Sequence, residues 1–181
     1  MANPTTGFGL RHVKARVPGA VAVELAVASN YGTAIGIGSV VEHTGTSNQC
    51  QVYTVSPGNT GAYGVVIACR SSAGLPLNHI PASTGGYVSV YLIDEHVFLA
   101  REDSVTSSLD ASAAGANIQL IAGTISTETG ESGWLLDSNT VNTTATLPIR
   151  IIALAEASID NDDTAANKLV YVTGNYRQAA V

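Results

Sequence analysis

"VAVELAVAS", residues 21–29, sets the period of the whole chain. Val21, Val23, Leu25 and Val27 fall on one side, and Ala22, Glu24, Ala26 and Ala28 fall on the other. This two-residue repeat is that of a strand with one buried face. Strand-like runs follow at short spacings: "SVVEHT", "CQVYTV", "YGVVIAC", "YVSVYLID", "VFLAR", "NIQLIAG", "LPIRIIALA" and "KLVYVTG". They are rich in Val, Ile, Tyr and Thr, which suit a pleated surface. Turn clusters such as "SPGNTGA", "PASTGG" and "STETGESG" separate them. The pattern predicts an all-β fold, a compact β-barrel or β-sandwich of short antiparallel strands with long Gly/Ser/Thr/Asn-rich loops.

The 181 residues suffice for one domain with a proper core. We expect that domain over residues 21–181, preceded by an extended N-terminal arm over residues 1–20. "SSLDASAAGAN", residues 107–117, reads as a single helical turn or compact loop, and another short turn fits "DDTAAN". Pro148 cannot donate to a strand ladder, so the strand in "LPIRIIALA" begins there or lies at a sheet edge. No repeat of fixed period is found.

Charge is scarce. Asp, Glu, Lys and Arg make up 12% of the chain, against about 25% in an average soluble domain, and the mean hydropathy is +0.22. Two explanations stand side by side: a surface covered by partners, since interface cores are depleted in charge, or a Ser/Thr-rich β-protein that stays soluble without it. The net charge of -6 argues against nucleic-acid binding, which needs a basic footprint. No apolar run approaches the roughly 20 residues of a membrane span. The stretch "MANPTTGFGLRHVKARVPG" lacks the apolar core of a secretory signal, so no export is expected. Cys50 and Cys69 sit inside apolar runs and read as reduced core thiols rather than a disulfide.

The charges are also unevenly placed. Arg11, Lys14 and Arg16 are three of the chain's eight basic residues, and no acid precedes Glu24. The first twenty residues read either as a disordered tail or as a basic arm lying along another protein's acidic surface.

A search for chemistry returns little. His12, His43, His79 and His96 are scattered, and neither His-x-x-x-His nor Cys-x-x-Cys occurs, so no zinc site is expected. Asp94-Glu95-His96 reads as a polar break between strands rather than an acid–base cluster. "DNDD", residues 160–163, reads as a solvated loop, lacking the Gly and closing Glu of an EF-hand. "GIGS", residues 36–39, is too short for a phosphate loop, and no Gly-x-Ser-x-Gly elbow is present. In "GWLLDSNTVNTTATLPIRII", residues 133–152, Asp137, Ser138 and Asn139 are turn formers that bond their own backbone. Trp134 there reads as a packing or contact residue. We expect no enzyme, no cofactor and no metal.

The order of these pieces resembles the small capsid decoration, or cement, proteins of tailed bacteriophages. "GFGLRHV" is followed by "YGTAIGIGSVV", "GAYGVVIA", a long strand pair around "VYLIDEHVFLARED", "SSLDASAAGANIQLI", "SGWLLDSNT" and "LPIRIIALAEASID". Together they span nearly the whole chain in the family's order. The chain departs from the pattern at His12, where proline is frequent, and at Asp94-Glu95, where Asp-Pro is frequent. The resemblance implies a β-protein on the outer surface of an assembled icosahedral head, with a stay in the host cytoplasm during assembly. Its implied partners are the major capsid protein and further copies of itself, a homotrimer before a dimer, with neither nucleic acid nor membrane involved. On this reading Phe8 and Leu10 would be apolar anchors, Arg11, Lys14 and Arg16 would bond carboxylates or carbonyls of the shell, and Trp134 would serve packing or contact. The alternative is a head-fibre base or tail-associated β-module that binds a host surface.

Overall fold

Along residues 86–92 the two-residue period is realised in full. Gly86, Val88, Val90 and Leu92 are buried, while Tyr87, Ser89 and Tyr91 are half-buried on the opposite face. The computed structural model describes residues 3, 6–46, 48–103, 109–157, 161–162 and 165–175. Among them lie fourteen strands: β1 (Arg11–Ala15), β2 (Val23–Val27), β3 (Ile35–Gly36), β4 (Val40–His43), β5 (Cys50–Val52), β6 (Gly64–Ser71), β7 (Pro76–Leu77), β8 (His79–Ile80), β9 (Gly86–Leu92), β10 (His96–Arg101), β11 (Asn117–Ile121), β12 (Leu135–Asn142), β13 (Ile149–Leu154) and β14 (Leu169–Gly174). The fold is all-β and antiparallel, as the sequence predicts. Its helical content among the described residues is one 3-10 turn, Ala111–Ala113.

Two large sheets carry the structure. The first has the order β1-β10-β14-β13-β11-β12; the second runs β2-β9-β6-β4-β5, with β7 beside β6. A two-stranded ribbon, β3-β8, lies apart from both. Each large sheet curls back on itself at one parallel bridge, between edge strand β12 and the residue after β10 in the first, and between edge strand β2 and the residue before edge strand β5 in the second. In the first, Glu102 bridges Leu136, and the Asp103 N–H donates to the Leu136 carbonyl at 2.9 Å. In the second, Ala26 bridges Gln49, and the Ala26 N–H donates to the Asn48 carbonyl at 2.8 Å. These single bridges do not make a closed barrel of either sheet.

Alternation then builds two cores. Phe98, Ile118, Leu136, Ile151 and Val172 form the heart of the first. Leu25, Ile35, Cys50, Ile80 and Val88 form the second. The second sheet serves both, because Val40 and Val65 point into one core and their neighbours Val41 and Val66 into the other. Each such side chain, fully buried, contributes about 1.5–3 kcal/mol. Cys50 and Cys69 are free thiols buried in the second core. Burial pushes Cys50 up to about 12, with Cys69 adding to the effect. Burial likewise pushes Cys69 up to about 11.

Several expectations meet a different arrangement. The expected strand pair around Asp94-Glu95 does not form: β9 lies in the second sheet and β10 in the first. Residues 93–95 instead carry the chain from one sheet to the other, and the alternation within each strand does not record which sheet it joins. Asp137–Asn139, read as a tight turn, lies inside β12. Both descriptions have a basis, because the register between β11 and β12 jumps from Asn117↔Asn142 to Gln119↔Asp137. In the resulting bulge the Asp137 carboxylate accepts the Asn139 N–H at 3.1 Å. Thr140 Oγ1 accepts the Gln119 N–H at 2.9 Å, a side chain standing in for the ladder.

The segment expected as an extended arm is, from residue 11 to 15, the edge strand β1 against β10. Leu10, 2% exposed, belongs to the first core. Burial of Leu10 and ladder bonds to β10 reward docking over a free tail. β13 begins at the residue after Pro148, whose carbonyl accepts the Asn175 N–H at 2.8 Å. The 3-10 turn is capped by Asp110, whose carboxylate accepts the Ser112 N–H at 2.8 Å. Residues 107 and 108 of its expected span lie outside the described residues, as do 160 and 163 of "DNDD" and 163 and 164 of "DDTAAN". Asn161 is no solvated loop residue: it is 1% exposed, donates to the Ala155 and Glu156 carbonyls and accepts the Leu169 N–H.

Candidate contact surface

Gly7, Gly9, Gly36, Gly38 and Gly133, from three of the motifs that carry the family resemblance, gather with Gly123 and Gly130 at one backbone junction. A Cβ on Gly123 would stand 2.0 Å from the Gly133 carbonyl oxygen, and one on Gly7 would stand 2.4 Å from the same atom. Three segments are stitched there. The Leu10 N–H donates to Gly38 O at 3.0 Å, the Ile37 N–H to Gly130 O at 2.9 Å, and the Ser132 N–H to Ile37 O at 2.8 Å. Main chains can approach this closely only where no side chain intervenes. "GIGS" is therefore part of a backbone joint.

Around this joint the basic residues near the N-terminus divide. Arg11 sits 4.4 Å over the Phe8 ring and pairs with Glu131 at 2.9 Å. Arg101 lies 5.5 Å from the centre of that ring, so half-buried Phe8 packs beneath two guanidiniums. Arg16 donates to the Asp94 carbonyl and to Thr173 Oγ1, each at 3.1 Å, and its backbone N–H donates to Glu95 O at 2.7 Å. Arg11 and Arg16 thus hold the protein's own strand in place. Lys14 is exposed, and its side chain has no hydrogen-bond or ion-pair partner among the described residues. Trp134, 1% exposed, lies in the first core with its ring centre 6.3 Å from that of Tyr53. In a single copy neither Leu10 nor Trp134 is offered to a partner.

Asp94-Glu95-His96 forms the crossing between the sheets. His96, 1% exposed, stacks on Tyr91 with ring centres 4.2 Å apart and planes at 25°. Its Nδ1 lies 3.0 Å from His12 Nε2. Burial is the main cause that holds the His96 imidazole below its usual range. The nearby His12 adds to this, and Glu95 and Asp94 oppose it. This arrangement fastens β1 to the body.

What the sequence did not single out is the outward side of the first sheet. In β13, Ile149 and Ile151 point inward while Arg150 and Ile152 are exposed, Ile152 to 41%. Val13, Lys14, Val97, Ile152 and Tyr171 line a hollow of about 330 Å³. Tyr171 also lines a neighbouring hollow of about 600 Å³, with Leu99, Leu154 and Leu169. The signal was present in "IRII", where an Ile occupies an outward position beside an unpaired Arg. Seeing that it faces Lys14 requires the register of four strands. Among the described residues no group of three or more His, Cys, Asp or Glu is placed to hold a metal ion. No protein-family model matches the chain, and no curated protein matches it either.

Proposed function

We propose that this protein is a structural component of a tailed-phage particle. It binds the outer surface of the icosahedral head and clamps neighbouring major capsid subunits. The reading rests on the ordered motifs from "GFGLRHV" to "LPIRIIALAEASID", three of which supply glycines to one backbone joint. The low charge content and the apolar outward face of the first sheet are in keeping with a surface that others cover.

The physical logic needs no catalytic residue and no cofactor. Packed DNA pushes outward on a shell whose subunit contacts are individually modest. A symmetric oligomer, a trimer before a dimer, touches several subunits at once, and each bound arm raises the effective concentration of the next. Many weak contacts then sum to tight binding.

The test is a binding and counting experiment. The purified chain should bind expanded heads that lack it, raise their resistance to heat, and occur in virions at a copy number that scales with the capsid lattice. A copy number restricted to one vertex or to the tail, with no binding to heads, would replace this reading with the fibre-base or tail-module alternative.

A further inference from the structure

Three adjacent strand pairings place Lys14, which lines an apolar hollow, and Arg150, outside its lining, on one sheet face, neither with a partner among the described residues. Lys14 on β1 pairs with Val97 of β10. The next residue, Phe98, pairs with Val172 of β14, and Thr173 pairs with Arg150 of β13. Residues directly opposite one another in adjacent strands share a face, so Lys14, Val97, Thr173 and Arg150 form one row on the side away from the first core, with Val97 and Thr173 buried in it and Arg16 bonded over Thr173. Three inter-strand steps at about 4.8 Å separate its ends by roughly 14 Å. Between them Val13, Val97, Ile152 and Tyr171 shape the hollow of about 330 Å³, which has no carboxylate in its lining.

This arrangement stands out against the rest of the molecule. The chain carries a net charge of -6, and among the described residues the exposed cations Arg11 and Arg70 are each paired, with Glu131 and Glu24. The Lys14 and Arg150 side chains have no hydrogen-bond or ion-pair partner among the described residues. Acids at the margins of this sheet are Asp94 and Glu95 at the turn before β10 and Glu156 beside the second hollow.

We propose that this face is a docking surface for an acidic protein surface, one that inserts an apolar side chain into the hollow and presents a carboxylate to each cation. The inference rests on the reading of this protein as a head-binding component and assigns the contact to the sheet face. The apolar centre supplies the desolvated anchor, and the two flanking charges fix orientation and steer encounter. For a chain of net charge -6, such a locally cationic patch lowers the repulsion against an acidic partner surface.

The experiment measures binding of the full chain to expanded heads that lack it, at low and high salt. The wild type should bind, and more weakly as salt rises. Lys14→Glu combined with Arg150→Glu should weaken binding by roughly tenfold or more, and Ile152→Glu should do the same by filling the hollow with charge. Leu75→Gln, exposed on the hairpin between β6 and β7, should bind as wild type. Should charge reversal disturb folding, Lys14→Gln with Arg150→Gln serves as the milder pair. Equal binding by wild type and the double variants overturns this face while leaving the head-binding reading intact. Failure of the wild type to bind overturns that reading and the face together. Loss of self-association with unchanged head binding overturns the acidic partner in favour of a second copy.

Discussion

His96 Nδ1 and His12 Nε2 face each other at 3.0 Å, so one ring donates the hydrogen bond and the other accepts it. Two protonated imidazoles cannot keep that contact. His96 titrates below its usual range because burial disfavours its charged form. Below the unfolded histidine value the unfolded chain therefore binds the proton first, and stability is lost as pH falls from there through the lowered folded value. Tyr91 and Phe98 pack on the pair, and the charged groups at this end are Lys14, Arg16, Asp94 and Glu95. Protection against amide exchange over residues 11–15, taken relative to the intrinsic rate at each pH, should fall between pH 7.5 and 5.5 more than protection over β9. His12→Gln should flatten that difference; an unchanged pH response would sink the idea.

Trp134 should act as a core residue. Trp134→Ala is expected to cost about 3–5 kcal/mol in denaturant unfolding. A loss under about 1 kcal/mol, the range of exposed positions, would contradict its 1% exposure.

The glycine joint makes a sharper forecast. Gly123→Ala places a methyl group 2.0 Å from the Gly133 carbonyl and should cost roughly 3 kcal/mol or more, at the upper end of overpacking. Gly32 has open space around its would-be Cβ and no positive φ. Gly32→Ala should be neutral or gain up to about 1 kcal/mol by restricting the unfolded chain. Comparing the two melting curves checks both statements.

Glu102 has no exposed surface. Its carboxylate accepts the Leu109 N–H at 2.7 Å and the Lys168 N–H at 3.2 Å, while the Lys168 ammonium donates to the Leu109 carbonyl at 2.5 Å. Glu102→Ala strands two buried donors and should cost about 2–5 kcal/mol. Full wild-type stability in that variant would show that the carboxylate holds nothing.

The two thiols should be silent in the folded protein. With Cys50 at about 12 and Cys69 at about 11, a thiol reagent at pH 8 should label neither until denaturant is added. Both values lie above the unfolded one, so their contribution is complete below pH 9 and falls away as pH rises further. Rapid labelling of native protein would mean that the second core opens easily.

Legibility followed burial. β9 was readable because it buries alternate residues, which apolar spacing reports directly, and β6 and β14 were readable as short runs rich in apolar β-formers buried with little alternation. β1 was not, since all five of its residues are exposed and it leaves no apolar period. β12 was hidden by the Asp137 bulge, whose residues are the same ones that build free turns. The glycines were visible, but their use depends on four segments meeting, and no local window contains that. Lys14 and Arg150 were each legible as charges; only the register through β10 and β14 makes them neighbours.

The order of the first sheet also bears on synthesis. β1 needs β10 as its partner, yet all of the second sheet lies between them in the chain. At about 5–20 residues per second, β1 emerges from a ribosome on the order of ten seconds before its ladder exists. The strand made first therefore waits for its ladder until residues 23–92 have had time to form their own sheet. A chain halted before residue 96 would therefore carry "RHVKA" unpaired and open to a trapping antibody, and extension past residue 101 would close it.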